Sequence, residues 1–596
     1  MTLATIDIVI IIFFFSITLA IGLYVSRTSG KSTDEFFLSG RSMPWWLLGM
    51  SMVATTFSTD TPNLVTDIVR QHGVSGNWVW WVFLLTGMLT VFVYAKLWRK
   101  SAVTTDIEFY ELRYGGKPAR FLRGSRSVFL GLVFNVLAMS GVTLAAIKIG
   151  AVMLDLSPMQ TVGLAALVTV IFSSLGGFKG VVYTDFVLFF VAMIGSIGAA
   201  VVAVNHPDVG GLSGLLSHEQ IVDKISILPE FSNRDILISL VIIPLAVQWW
   251  AAWYPGAEPG GGGYIAQRML ASKNENHAIG ATFFFNILHY ALRPWPWILV
   301  ALASMIVFPD LESLRTAFPN VEESKIGNDL AYPAMLTFLP AGLLGLVLAA
   351  LIAAFMSTIS THLNWGASYL VNDFYRRFLH PEATEKECVA AGRVTTFLLM
   401  ALAALTALLM TNALQIFDFI LMFGAGTGLI FLLRWFWWRI NAWSEIAAMF
   451  SSGLISFFFV LGNAYPESWP AYLRFPLIVL ITTIIWVTVT FLTQPESKDT
   501  LRNFYKKIQP GGKGWQVVVD DAKKDGENIV DPRAKWTLPT GILAMFAGTI
   551  LVYALLFATG KLLFGQPGMA LLLFVIGLVA AWVLVRFWNK VGSEII

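Results

Sequence analysis

The chain has almost no cysteine and little charge. Cys388 is the only cysteine among 596 residues, which excludes an intrachain disulfide and a cysteine-built metal cluster. Asp, Glu, Lys and Arg together make up 13% of the chain, too few to solvate a water-soluble protein of this length. No G-x-x-x-x-G-K-[ST] run is present, so nothing supports drive by a nucleoside triphosphate. No convergent His, Ser and Asp and no metal-ligand spacing supports a hydrolase, so an enzyme is not expected. A basic leader is also missing. Asp7 stands at the start, and the apolar stretch from Ile6 to Val25 is long enough to span, so a cleavable signal is not expected.

What the chain has is apolar surface: 56% of residues are hydrophobic and the mean hydropathy is +0.70. Those values predict an all-α polytopic membrane protein. Fifteen spans are expected. They lie near 5–26, 44–70, 76–98, 124–155, 158–175, 180–204, 236–266, 277–308, 338–372, 388–411, 413–434, 441–462, 471–493, 540–563 and 567–588. Loops after odd-numbered spans carry the cations, among them Arg27, Lys31, Arg41, Lys96, Arg99, Arg113, Arg120, Arg268, Lys273, Arg376, Lys386 and Arg439. Loops after even-numbered spans are short or acidic, as at 205–235 and 309–332. The positive-inside rule then predicts an outer N-terminus and a cytoplasmic C-terminus in the inner (plasma) membrane. The segment 494–539 holds nine Lys or Arg and reads as a solvated cytoplasmic linker.

Two spans are interrupted by polar or helix-breaking residues. After Pro44–Val53 the apolar run gives way to Ala54-Thr-Thr-Phe-Ser-Thr-Asp60-Thr-Pro62-Asn63, about half a bilayer in. Pro62 removes a backbone donor, and freed backbone groups are tolerated at membrane depth only beside a cavity or in protein. The stretch reads as an unwound helix offering carbonyls and hydroxyls to a ligand, or as a plain helix whose Ser and Thr bond back to the chain. Span seven contains Trp249-Trp-Ala-Ala-Trp253-Tyr254-Pro-Gly-Ala-Glu258-Pro259 and then Gly260 to Gly263. Two prolines and five glycines do not stay helical, and Glu258 at this depth needs a cavity or a partner. The broken spans lie five apart, so they cross in opposite directions. That is the pattern of an inverted repeat with a binding site between the interrupted helices, and it predicts a secondary transporter.

Span nine carries Ala354, Ser357, Thr358, Ser360 and Thr361 at helical spacing, so two oxygen-rich triplets share Ser357. Hydroxyls here, carbonyls at 54–58 and a carboxylate such as Asp185 suit a hard monovalent cation; close helix packing is the other reading of the same residues. Arg293 lies near mid-span eight. It can meet a solute carboxylate or pair with Glu258 or Asp60. Lys148 is expected to snorkel to the surface, and Gly424-Ala-Gly426-Thr-Gly428 to serve close packing.

Several stretches together resemble the sodium:solute symporter family, which includes sodium/glucose cotransporters and bacterial proline and sialic acid symporters. They are Asp34–Arg41, Gly49–Ser58, Thr105–Tyr114, Tyr183-Thr-Asp185, Gln267-Arg268-x-Leu-Ala-Ser-Lys273, Ala354–Thr361 with Asn372-Asp373-x-Tyr375, and Trp438–Asn441. The resemblance implies the LeuT-type five-plus-five inverted repeat. One extra helix (1–30) would precede repeats at 44–204 and 236–434. Spans at 441–493, the linker 494–539 and a closing pair at 540–596 would follow. It also implies a sodium site at Ala54, Phe57, Ala354, Ser357 and Thr358, and a second at Asp185, Ser357, Ser360 and Thr361. Solute contacts or gates are expected among Thr56, Asp60, Thr61, Trp253, Tyr254, Glu258, His289 and Arg293. Near Thr61, where sugar-transporting relatives carry a sugar-binding Gln, the family pattern is not kept, and the Pro-Gly stretch of span seven also departs from it. The expected partners are Na+, one small solute, with sugar or a sugar derivative favoured, and the lipid bilayer. No nucleic acid is expected, and the chain is expected to act as a monomer. A proton-coupled amino-acid or carboxylate permease of the same fold, or a non-transporting sensor, are the other readings.

Overall fold

The computed structural model describes residues 3–29, 38–103, 105–173, 177–251, 258–412, 418, 421–422, 424–460, 464–534 and 536–591. Among them there is no strand, only an isolated bridge between Met43 and Ser272. The main helices are α1 (Thr5–Ser29), α2 (Trp45–Thr55), α3 (Asp60–His72), α4 (Val74–Ser101), α5 (Gly116–Leu154), α6 (Pro158–Ser173) and α7 (Gly177–Val204). Next come α8 (234–246), α9 (Gly263–Leu270), α10 (Glu275–Val307), α11 (Leu343–Leu379), α12 (Glu385–Leu409) and α13 (Gly428–Leu433). The chain finishes with α14 (Ala442–Val460), α15 (Arg474–Leu492), α16 (Lys498–Ile508), α17 (Gln516–Lys524), α18 (Leu538–Leu563) and α19 (Pro567–Val591).

Ten of these described helices are long and apolar enough to cross a bilayer. The expected spans outside that set are the first, with a shorter apolar stretch Thr5–Ile21, and the fifth, whose helix α6 has 16 residues. The two interrupted spans and the eleventh, which falls partly outside the described residues, complete the difference. Both interruptions are present. The first break separates α2 from α3, because helical pairing stops at Thr55 and resumes only at Asp60. The second separates α8 from α9. There Gly260 and Gly261 take φ of 85° and 90°, a left-handed conformation that side chains with a Cβ rarely adopt. Trp253 and Tyr254 lie outside the described residues.

The loops sort to two ends. Arg99 donates to the carbonyls of Ser272 and Lys273, Arg113 to those of Arg434, Trp437 and Ile440, and Arg123 pairs with Asp373. The basic loops therefore gather at one end. At the other, the amide of Val74 meets the Lys224 carbonyl at 2.8 Å, and Arg70 bonds Ser304, Phe308 and Asn328.

Two expectations are corrected here. Lys148 does not snorkel: it is fully buried, and its ammonium lies 2.6 Å from both Asp329 oxygens and 2.8 Å from the Thr411 carbonyl. The loop 309–332 folds back over the bundle and delivers that carboxylate, which offsets the cost of burying the cation. Nor is 494–539 a solvated linker. In α16, Leu501, Phe504, Tyr505 and Ile508 recur at helical spacing and are buried. Phe504 stacks on Trp515 at 5.4 Å, Arg113 lies over both rings, and the Trp515 indole donates to the Trp435 carbonyl. Many of its cations are matched locally, as Arg502 is by Asp521, Asp525 and Glu527. The segment is a folded cap on the basic end.

Lys148→Met is expected to lower stability by about 3–5 kcal/mol, the usual cost of breaking a buried pair. Lys148→Met/Asp329→Leu should recover most of it, as read by thermal unfolding in detergent.

Candidate functional site

At the first break the Thr56 amide still reaches the Met52 carbonyl at 3.2 Å, and the Phe57 amide turns back to the Ala54 carbonyl at 3.0 Å. The chain then leaves the helix until Asp60. Helix α11 crosses this opening, and the Thr358 hydroxyl donates to the Thr55 carbonyl at 3.3 Å. The hydroxyl ladder thus meets the unwound backbone, as the sequence suggests. Ala54, Phe57, Ala354 and Thr358 are all buried.

Beside this junction sits Asp185, fully buried in α7. One carboxylate oxygen accepts from Ser357 at 2.7 Å; the other accepts from Ser51 at 2.6 Å and Thr55 at 3.3 Å. Arg268 of α9 closes the ring. Its guanidinium donates to Ser51 at 3.1 Å and Thr55 at 2.7 Å, and lies 3.6 Å from Asp185. Helices α2, α7, α9 and α11 therefore meet at one carboxylate. Sequence reasoning gave the Ser51 and Thr55 side chains no role and counted Arg268 among the loop cations, whereas it is buried in α9. The available signal was Arg268 itself, a cation one turn after a glycine run. The remaining oxygens of the expected second site, Ser360 Oγ and Thr361 Oγ1, are buried with no hydrogen-bond partner among the described residues.

A second cluster lies on the other side of the break. Pro294 cannot continue regular helical bonding, and the turn Ile287–Leu292 widens to accommodate it, so the Arg293 amide reaches back to Leu288. This π-turn brings His289 and Arg293 to the break. Arg293 donates to the Thr56 carbonyl at 2.7 Å, to the Thr56 hydroxyl at 2.9 Å and to His289 Nε2 at 3.4 Å. With Nε2 accepting, the neutral ring carries its proton on Nδ1, 3.1 Å from Thr56 Oγ1, whose own hydrogen goes to the Val53 carbonyl. The guanidinium packs over Phe57 and Trp297. Thr61, next to Asp60 at the start of α3, also donates to the Thr56 carbonyl, at 3.4 Å.

Thr56, Asp60, Thr61, His289 and Arg293 thus come together, whereas Glu258 does not join them. It pairs with Arg126 and lies 3.9 Å from Arg434, which in turn meets Glu445. Its neighbours are on the basic end of the molecule, so it does not oppose Arg293. Near it, Asp106 accepts from the Gly263 amide at 2.8 Å and from the Tyr369 hydroxyl. Asp106 lies in the loop between α4 and α5; burial first, then the charge of Glu258, push its carboxyl above the ordinary range.

A broken pair of helices around an oxygen-lined junction is transporter geometry, and comparison of the whole sequence with known families decides which kind. The profile of the sodium:solute symporter family matches residues 36–453. The chain belongs to the sodium:solute symporter family. It is accordingly a sodium-coupled symporter of a small organic solute, not an enzyme. A sodium/glucose cotransporter of Vibrio parahaemolyticus is 26% identical over 83% of this chain and 92% of its own length. Human sodium/myo-inositol cotransporter 2 is 25% identical over 83% of this chain and 77% of its own. A sodium-coupled sialic acid symporter, solved in a substrate-bound outward-open state, superposes with a TM-score of 0.61. The superposition covers 83% of this chain and 99% of that one. At 18% identity it establishes the shared LeuT-type fold.

The Gly424–Gly428 run also finds its reason here. A Cβ at Gly428 would stand 1.6 Å from the Trp250 carbonyl, at the edge of the second break. Gly428→Ala is expected to cost about 1–3 kcal/mol through overpacking, measured as a lowered unfolding temperature.

Proposed function

We propose that this symporter binds sodium at the junction of α2 and α11 and carries a neutral sugar or sugar derivative inward by alternating access. The sodium ligands would be the carbonyls of Ala54, Phe57 and Ala354 with the hydroxyls of Ser357 and Thr358. The observation that carries this reading is the Thr358 bond to the Thr55 carbonyl, which holds the ladder against unwound backbone. A second sodium would use Asp185, Ser357, Ser360 and Thr361. The unpartnered hydroxyls of Ser360 and Thr361 support it, and Arg268 must then yield its place beside Asp185. The solute would lie against Thr56, Thr61, His289 and Arg293, with Asp60 at the start of α3. Relatives named for glucose and myo-inositol support a polyhydroxylated solute. So does the Arg293 site, whose Nε–H is left to donate to a solute oxygen.

The inverted repeats would be 44–204 and 236–434. The basic end, including the α16–α17 cap, would face the cytoplasm and the N-terminus the outside of the inner (plasma) membrane. One chain holds the complete set of ligands, so a monomer is the working unit. A potential of 100 mV contributes about 2.3 kcal/mol per sodium ion moved.

Purified protein should gain thermal stability saturably with sodium, and not with potassium or choline at constant ionic strength. The gain is about 2.7 kcal/mol at a hundred times the dissociation constant. Ser357→Ala should abolish it, and Asp185→Asn should remove part of it if a second ion binds. An equal response to all three cations would overturn the sodium site.

A further inference from the structure

The polar face of α11 does not stop at Thr361. Ser357, Thr361, Asn364, Ser368 and Asn372 follow at steps of four, three, four and four residues, so one stripe runs from the ion junction toward the basic end of the bundle. It ends in a small cavity of about 30 Å³, where Asn364, Ser368, Asn372, Gln267, Thr105 and Asp106 share the lining with Leu270, Trp365, Tyr369 and the Gly263 backbone. That volume holds one water or one partly dehydrated cation. Each of the first six side chains offers an oxygen.

Asp106 is the charged member. Its carboxylate is fixed by the Gly263 amide and the Tyr369 hydroxyl, both of which belong to the cavity lining. Both are neutral donors. No cation stands within ion-pair distance of Asp106 among the described residues, whereas the nearby Arg126 is engaged by Glu258 and Arg434 by Glu445. A half-buried carboxylate whose neighbouring arginines are taken, facing a cavity that carries several side-chain oxygens, matches the preference of hard monovalent cations for oxygen ligands.

We propose that Asp106, with Asn364 and Asn372, forms a transient sodium site on the route by which sodium leaves the junction for the cytoplasm. It rests on the sodium reading above and assigns to this chain a cation site distinct from the two at the junction. Sodium released from Ser357 would pass along the stripe and pause beside Asp106. The negative charge there lowers the barrier between the buried site and water. Tyr369 and Gly263 hold the carboxylate in line with the stripe.

The test follows radiosodium release from preloaded protein in proteoliposomes, read at the cytoplasmic face, together with sodium-dependent thermal stabilisation of the same preparations. Asp106→Asn should slow release about tenfold while sodium still stabilises the protein, and Asp106→Glu should restore most of the rate. Because Asp106 also carries structural bonds, Asn364→Leu gives an independent probe and should slow release as well. Unchanged release in Asp106→Asn and Asn364→Leu, with sodium stabilisation intact, would overturn the Asp106 site alone. Absence of sodium stabilisation in the unmodified protein would overturn the sodium reading and this site with it.

Discussion

Asp185 is the constraint around which the centre of the molecule is arranged. A carboxylate at this depth, with none of its surface open to water, is stable only when charge and hydrogen bonds converge on it. Here the partners come from three other helices far apart in sequence: Ser51 and Thr55 from α2, Arg268 from α9 and Ser357 from α11. Removing any one leaves the others facing an under-compensated charge. The geometry of the junction is therefore fixed by an electrostatic requirement more than by apolar packing, because in a bilayer apolar side chains gain little by leaving the lipid. Ser357 belongs both to this network and to the proposed sodium ligands. An ion arriving at the junction must be felt at Asp185, and so at Arg268 and the second broken helix.

The two ends of the bundle follow the same rule with different partners. On the side away from the basic loops, Lys148 and Asp329 tie α5 to the loop before α11, and Arg70 ties α3 to the end of α10. On the basic side, Asp106 links Gly263 to Tyr369, and Arg126, Glu258, Arg434 and Glu445 form a chain of charges. Polar ties of this kind suit a protein whose ends must open in turn. When one end opens, water replaces the lost partners at modest cost, whereas an exposed apolar seam would gain nothing from hydration.

The breaks and the hydroxyl ladder were legible because each is local. Pro62, the glycine run and the spacing of 354, 357, 358 and 361 are visible without any knowledge of neighbours, and their positions five spans apart imply the architecture. The misreadings were about partners. Lys148 looked like a snorkelling cation because Asp329 is 181 residues away, on a loop whose return path no local pattern announces. Glu258 looked like a partner for Arg293 for the same reason; Arg126 claims it from α5. The cap at 498–524 was different, since Leu501, Phe504, Tyr505 and Ile508 already spelled a buried face. Its charge density obscured that face, because its cations are matched by acids about twenty residues on.

The same distinction explains why the coupling ion is easier to read than the solute. Sodium asks for oxygens at close range, and backbone carbonyls with Ser or Thr supply them whatever the surrounding sequence. A solute site depends on donors left over once the protein has satisfied itself. At Arg293 most of that capacity is used: Thr56 takes two bonds, His289 a third contact, and two aromatic rings cover the guanidinium face. Both Thr56 bonds come from Nη1, so the edge formed by Nε and Nη2 is the part of the guanidinium left to a solute, with His289 already at Nη2. A hydroxyl needs only the Nε–H and brings no charge of its own to be buried, whereas a carboxylate can take Nε–H and an Nη2–H together. An arginine in the sequence therefore names an oxygen-bearing partner without naming its class, because the same free edge serves a hydroxyl or an acid.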